Sequence, residues 1–154
     1  MSEKLVEILP MLAKDIELVW ELGIATPEFD TGDQSPRFYS QEALGRMVES
    51  DDCVCLVAKN KDDEVVGFIL TSILTAPRDA IIHTIRVADD FQKQGVGAML
   101  FDQTLTLLEQ RPDDCNHYQL ETQLRNWGVH SFLTKQGVTG GTPMLRFDGM
   151  LPRK

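Results

Sequence analysis

Basic residues are in the minority in this chain of 154 residues: 15 Lys and Arg stand against 24 Asp and Glu, a net charge of −9. With a pI near 4.7, the basic footprint that non-specific nucleic-acid binding needs is missing. No apolar run is long enough for a membrane helix. The longest, Val65–Leu74, is interrupted by Gly67, Thr71 and Ser72, and a spanning helix needs ~20 residues, so this run reads as a buried strand. Ser2, Glu3 and Lys4 open the chain without a basic region and apolar block, so no secretory signal is read there. Cysteine is scarce. Cys53, Cys55 and Cys115 form an odd set without framework spacing, which points to reduced thiols and a cytoplasmic protein. Cys53 and Cys55 alternate with Val54 and Leu56 as in a strand, and no second ligand pair follows, so no metal site is expected.

What is present is a core. At 42% hydrophobic and 154 residues the chain fits one domain, 1–154, since domains commonly run ~100–200 residues. Residues 4–9 form a strand candidate. Pro10 suits the first turn of a helix over about 11–22, where Leu12, Ile16, Val19, Trp20 and Gly23 recur at three- and four-residue steps. Residues 26–37 carry Pro27, Gly32 and Pro36 and read as a loop. Ser40 is placed to cap a second helix bearing Ala43, Leu44, Met47 and Val48. Strands follow at 53–58, Val65–Leu74 and 80–87, with a polar turn at 60–64. A long helix buries Val96, Leu100, Thr104, Leu107 and Leu108; then come a strand over 118–122 and a helix over 126–136 closed by Gly137. The tail near 143–147 is an edge-strand candidate. The order implies a mixed α/β (α+β) layer with an antiparallel front half.

The chemistry gathers at Gln92, Lys93, Gln94, Gly95, Val96 and Gly97, between a buried strand and a helix. Glycines there permit a sharp turn and close approach of a ligand. The first helix amides lack partners within the helix and, with its dipole, suit phosphate. A dinucleotide-binding fingerprint would need glycine at Leu100, and a P-loop would need Gly-Lys-Ser/Thr, so both are excluded. The plainer reading is a simple strand-to-helix connection.

The run from Ile85 to Leu100, with Gln92, Gly95 and Gly97 in place, resembles motif A of the GNAT superfamily of acyl-CoA-dependent N-acyltransferases. Leu120, Glu121, Thr122 and the stretch from Asn126 to Val138 resemble its softer motif B. The resemblance spans nearly the whole chain. It implies a mostly antiparallel sheet of about six to seven strands, flanked by four helices, with a V-shaped splay between the fourth and fifth. It further implies acetyl-CoA as co-substrate. Backbone at Ile85, Arg86 and Val87 would pair with the pantetheine arm, a form of strand addition. Amides of Gln92, Lys93, Gln94, Gly95, Val96, Gly97 and Ala98 would hold the pyrophosphate, and Asn126 would hold the arm from the other side. The Val87 amide would face the thioester oxygen. Arg86 and Lys93 would add charge near the phosphates, or else are solvated surface cations.

Amine acetylation needs a neutral amine, and a lysine-like amine has a pKa of ~10.4. In the family the base commonly lies on the motif A strand. His83, before Val87 on that strand, is the candidate base or water relay; the alternative is a packed strand histidine. A two-residue period places Ile81, His83, Ile85 and Val87 on one side. Many relatives carry a tyrosine acid where this chain has Leu133; Tyr118, His130, Ser131 and Thr134 lie nearby in sequence without occupying that position. Phe29, Asp30 and Asp33, in the loop over the expected acceptor side, are candidates for receiving a cationic amine, or are ordinary turn residues. The leading expectation is transfer to a primary amine, on a small molecule or a peptide, with no nucleic-acid or membrane partner. The rival is a non-catalytic acyl-CoA-binding or protein-interaction module. A homodimer with an exchanged tail is also expected from the resemblance.

Overall fold

A computed structural model describes residues 5–29, 38–112, 115–122 and 124–153. Its centre is the apolar pair of strands that the sequence marks most strongly. β2 (Cys53–Asn60) and β3 (Val65–Leu74) form an antiparallel hairpin across a polar turn in which the Asn60 side chain accepts from the amides of Asp62 and Glu64. β1 (Val6–Pro10) pairs antiparallel with β2, and β4 (Asp79–Val87) antiparallel with β3. β5 (His117–Leu120) joins β4 in parallel, giving the order β1-β2-β3-β4-β5. Pro10 closes β1 opposite Leu56 rather than opening a helix. A single 3-10 turn, Ala13–Asp15, then leads into α1 (Ile16–Ile24).

The sheet is covered on both faces, which is why its central strands are mostly apolar. α1 and α2 (Gln41–Glu49) cover one face over Met11, Val19, Leu44, Val57, Phe68 and Leu70. α3 (Val96–Glu109) and α4 (Trp127–Lys135) lie on the other, over Leu56, Ala58, Ile69, Ile82, Leu100 and Phe101. The Ser40 hydroxyl caps α2 by accepting from the Ala43 amide at 3.1 Å. Gly23 is tight: a Cβ there would run into the Phe38 ring. At the α1 end of the sheet, buried Lys59 is paired with buried Asp15 at 2.7 Å.

Two expectations are corrected. The described sheet has five strands, not six or seven. The tail near 143–147 forms no strand; Met144, Leu145 and Phe147 are 82%, 84% and 89% exposed. An alternating apolar segment becomes a strand only where a ladder partner stabilises it, and nothing described pairs with this one. The second correction concerns facing. Leu70 pairs with Thr84 but Thr71 with Ile82, so His83 is the extra residue of a β-bulge. The bulge resets the alternation: Ile81 and His83 face α2, whereas Ile85 and Val87 pack toward α3.

Candidate active site

β4 is longer than its parallel partner. Their pairing runs from Asp79–His117 to Ile82–Leu120, while β4 continues to Val87. From Ile85 to Val87 the edge away from β3 is therefore open. The Ala88 amide donates to the Val66 carbonyl at 2.8 Å on the β3 side. Amide direction alternates along a strand, so the Val87 amide faces the open edge. The Val87 carbonyl shares that edge and accepts from Arg86 Nη1 at 2.6 Å and Gln92 Nε2 at 3.0 Å.

After Val87 the chain makes a 3-10 turn, Asp89–Phe91, and enters α3 through two left-handed residues. Lys93 has φ +61° and Gly95, the N-cap, has φ +81°. Lys93 holds that conformation as a non-glycine, an uncommon state that localises strain to this turn. No side chain caps α3, so its first amides stay available to an anion. A Cβ on Gly97 would stand in ordinary van der Waals contact, 3.4 Å from the Phe132 ring and 3.7 Å from Val87 Cγ2. The end of β4, the start of α3 and α4 converge there.

The polar side chains of this segment mostly hold the turn. Gln92 Nε2 also reaches Asp89 Oδ1 at 3.2 Å, and Gln94 Nε2 donates to the Asp90 carbonyl at 3.0 Å. Arg86 turns to the α1 face, where Nε donates to Thr26 Oγ1 at 2.9 Å and Nη2 pairs with Asp89 at 3.2 Å. Asn126 caps α4, its Oδ1 accepting from the Val129 amide at 3.3 Å. Leu133 packs into the core on the α3 face. His130 Nε2 lies 2.7 Å from Thr122 Oγ1 and the His130 ring stands edge-on to Trp127.

On the opposite face, His83 opens into a cleft of about 430 Å³ between α2 and the sheet. Cys53, Ser72 and His83 form the sheet wall; Ala43, Arg46, Met47 and Ser50 form the helix wall, with Tyr39 beside them. His83 Nε2 lies 2.7 Å from Ser72 Oγ, and Tyr39 stands edge-on to the imidazole at 5.9 Å. Burial holds the His83 pKa below its ordinary 6.5, so the ring is neutral at neutral pH. Burial raises the Tyr39 phenol, with the Arg146 charge opposing. Cys55 is pushed up to about 12 by burial, an unreactive thiol. Phe29 stacks on Phe38 at 5.5 Å, within the aromatic packing under the α1–α2 face. Asp30 and Asp33 lie outside the described residues. Sequence reasoning missed Ser72, Arg46 and Cys53 as neighbours of His83. Only strand register and the bulge bring them together, and neither leaves a local signal.

Comparison with known proteins gives the arrangement a family. Residues 19–138 match the model of the "Acetyltransferase (GNAT) family". No curated protein matches the chain by sequence. The fold is similar to a soil-metagenome aminoglycoside acetyltransferase solved with sisomicin, with a TM-score of 0.75, 16% identity, and 95% of this chain and 96% of that one covered. It is also similar to the PaiA N-acetyltransferase of Thermoplasma acidophilum solved with coenzyme A, with a TM-score of 0.71, 19% identity, and 88% and 89% covered. The ribosomal-protein-alanine N-acetyltransferase of Brucella melitensis biovar Abortus 2308 gives a TM-score of 0.68 at 17% identity, over 93% and 100%. With the family model covering residues 19–138, the chain belongs to the GNAT acetyltransferase family.

Proposed function

We propose that the protein is a single acetyltransferase domain that moves the acetyl group of acetyl-CoA to a primary amine by direct attack in a ternary complex. The observation that carries this reading is the open β4 edge leading through one tight turn to the uncapped start of α3. Acetyl-CoA supplies an activated thioester. Ile85 and Val87 would hold its amide arm through backbone groups, and the amides of Gly95, Val96, Gly97 and Ala98 its phosphates. The Gln92 side chain braces the turn that precedes those amides. The Val87 amide would meet the thioester oxygen as negative charge builds there, an effect worth ~3 kcal/mol for one donor in other acyl-transfer sites. His83, neutral in its cleft, would take the amine proton directly or through water. With Leu133 in the core, no side chain is assigned to protonate the departing thiolate.

The acidic chain does not argue against an anionic co-substrate, because backbone amides supply the local positive potential. The cysteine usage favours a cytoplasmic enzyme. Leu133 favours a second reading, a non-catalytic acyl-CoA-binding module. Thiol release from acetyl-CoA, followed with polyamines, amino acids, aminoglycosides and peptide N-termini, separates the two. Turnover with at least one amine is expected. Tight CoA binding without turnover on any of them, unrestored by Leu133→Tyr, would establish the module instead.

A further inference from the structure

We infer that the acceptor is an amine carrying an anionic group, a carboxylate or a phosphate, which the Arg46 guanidinium receives in the cleft between α2 and the sheet. The inference rests on the acetyl-transfer reading and names the substrate class of that site. Among the described residues the cleft lining holds one permanent charge, Arg46, and no carboxylate. That is contrary to what a chain of net charge −9 leads one to expect. Among the described lining residues a polycation would meet one cation to repel it, and the Glu42 carboxylate beside that cation is already paired with it.

The placement of Arg46 is built, not incidental. Ala43, Arg46, Met47 and Ser50 recur at helical spacing, so α2 presents them together. Fully buried Leu44 and the Ser40 cap fix the helix in orientation. Arg46 sits in the last turn, where the helix dipole favours a cation. Its partner is Glu42, bound through Nη1 at 3.0 Å, with the two side chains 68% and 85% exposed. Such a solvent-screened pair is weak, and a bidentate anion on the guanidinium displaces it readily. Arg146, itself paired with Asp148, lies within electrostatic reach of Tyr39. Tyr39, Ala43 and Met47 offer an apolar wall for a short carbon stem, and His83 with Ser72 faces it from the sheet.

The test compares acceptors of one length: aminocaproate, aminohexyl phosphate, hexylamine and hexamethylenediamine, with an aminoglycoside as the polycation. The two anionic amines are expected to exceed the diamine about tenfold or more in kcat/KM, and their order tells carboxylate from phosphate. Arg46→Ala should level the series and Arg46→Glu invert it. A wild-type preference for the diamine or aminoglycoside, or a ratio unmoved by both variants, overturns the inference while leaving acetyl transfer standing. If no amine turns over, NMR shifts of Ala43 and Met47 on adding caproate, in the presence of CoA, decide. Shifts lost in Arg46→Glu uphold the anion subsite and sink the transfer reading; no shift in the wild type sinks the subsite.

Discussion

The two sides of β4 are built in different ways. On the edge toward α3, the groups that matter are backbone ones, at the open end of β4 and in the first turn of α3. On the α2 face they are side chains from four elements: Tyr39 before α2, Arg46 on it, Ser72 on β3 and His83 on β4. The first kind of site is written locally, in glycines and turn residues. The second exists only after the sheet has set its register. Mutation should therefore touch them unequally. Side-chain truncation can empty the α2 cleft of function, whereas the α3 edge yields only to changes that alter backbone shape or fill space.

The sharpest way to test that contrast is His83→Ala. If the imidazole is the base, kcat/KM should fall about a hundredfold or more, while CoA affinity stays at its wild-type value. The pH profile checks the assignment. Burial lowers the His83 pKa, so the neutral base persists below pH 6.5, and the acidic limb of the wild type should lie under that value. The variant should lose that limb. An unchanged profile would return His83 to the status of a packed strand residue.

Gly97→Val attacks the other side. Its side chain would be driven into Phe132 and Val87, which already stand at van der Waals distance from a single Cβ. Overpacking of this kind costs roughly 1–3 kcal/mol, about fivefold to 150-fold in CoA affinity if it falls on the bound state. Calorimetry with CoA measures it. Gln94→Ala is the control that keeps the comparison honest: its side chain folds back on Asp90, and its loss should matter far less. Equal effects of the two changes would show that side chains, not amides, hold the co-substrate.

Much of the fold could be read in advance, for reasons visible in single residues. Ser40 announced α2 because its hydroxyl has one local task, and Val65–Leu74 was recognisable because a strand buried on both faces is predominantly apolar. Gly95 marked the α3 turn because its positive φ leaves little but glycine possible, and Gly97 follows where α3 packs against Phe132 and Val87. The tail misled because Met144, Leu145 and Phe147 carry a strand pattern without a described partner. The bulge at His83 was invisible for the same reason: a two-residue period assumes a regular ladder, and one inserted residue sends Ile85 and Val87 to the opposite face. Ser72 beside His83 was likewise unreadable, since it depends on the pairing of Ser72 with Ile81.

Ser72→Ala is a gentler probe of the cleft. It removes the partner of His83 Nε2 without touching the ring, and a hydrogen bond of this kind is worth ~1 kcal/mol, about fivefold in rate. Ser72 would thus be a positioning residue, and its loss should move the acidic limb of the rate profile as well as kcat. Ser72→Thr should restore both. A loss of stability with neither kinetic change would mean that the hydroxyl only packs the sheet.

The smallest effect is expected at the seam the two regions share, where β5 is pinned to β4. Asp79 accepts from His117 and Gln119 across the first rungs of the parallel pair, the His117 Nδ1 contact being 2.7 Å. The His117 bond leads in lowering the Asp79 pKa below its ordinary 3.8, against burial, which raises it. A carboxyl depressed in the folded state binds protons less readily there than in the unfolded chain. Its stabilisation is therefore complete above pH 3.8 and is lost as pH falls through the lower folded value. Asp79→Asn should flatten that part of the acid-unfolding curve. At neutral pH it should lower the melting temperature by about 2–4 °C, the shift that ~1 kcal/mol makes in a chain of this size. Acetyl transfer should respond less than in Ser72→Ala, because pairing of Ile82 with Leu120, not Asp79, ends the closed part of the edge. If Asp79→Asn instead weakened CoA binding as much as Gly97→Val, the open edge would depend on β5 being held at its far end. The backbone site would then be no more local than the cleft behind it.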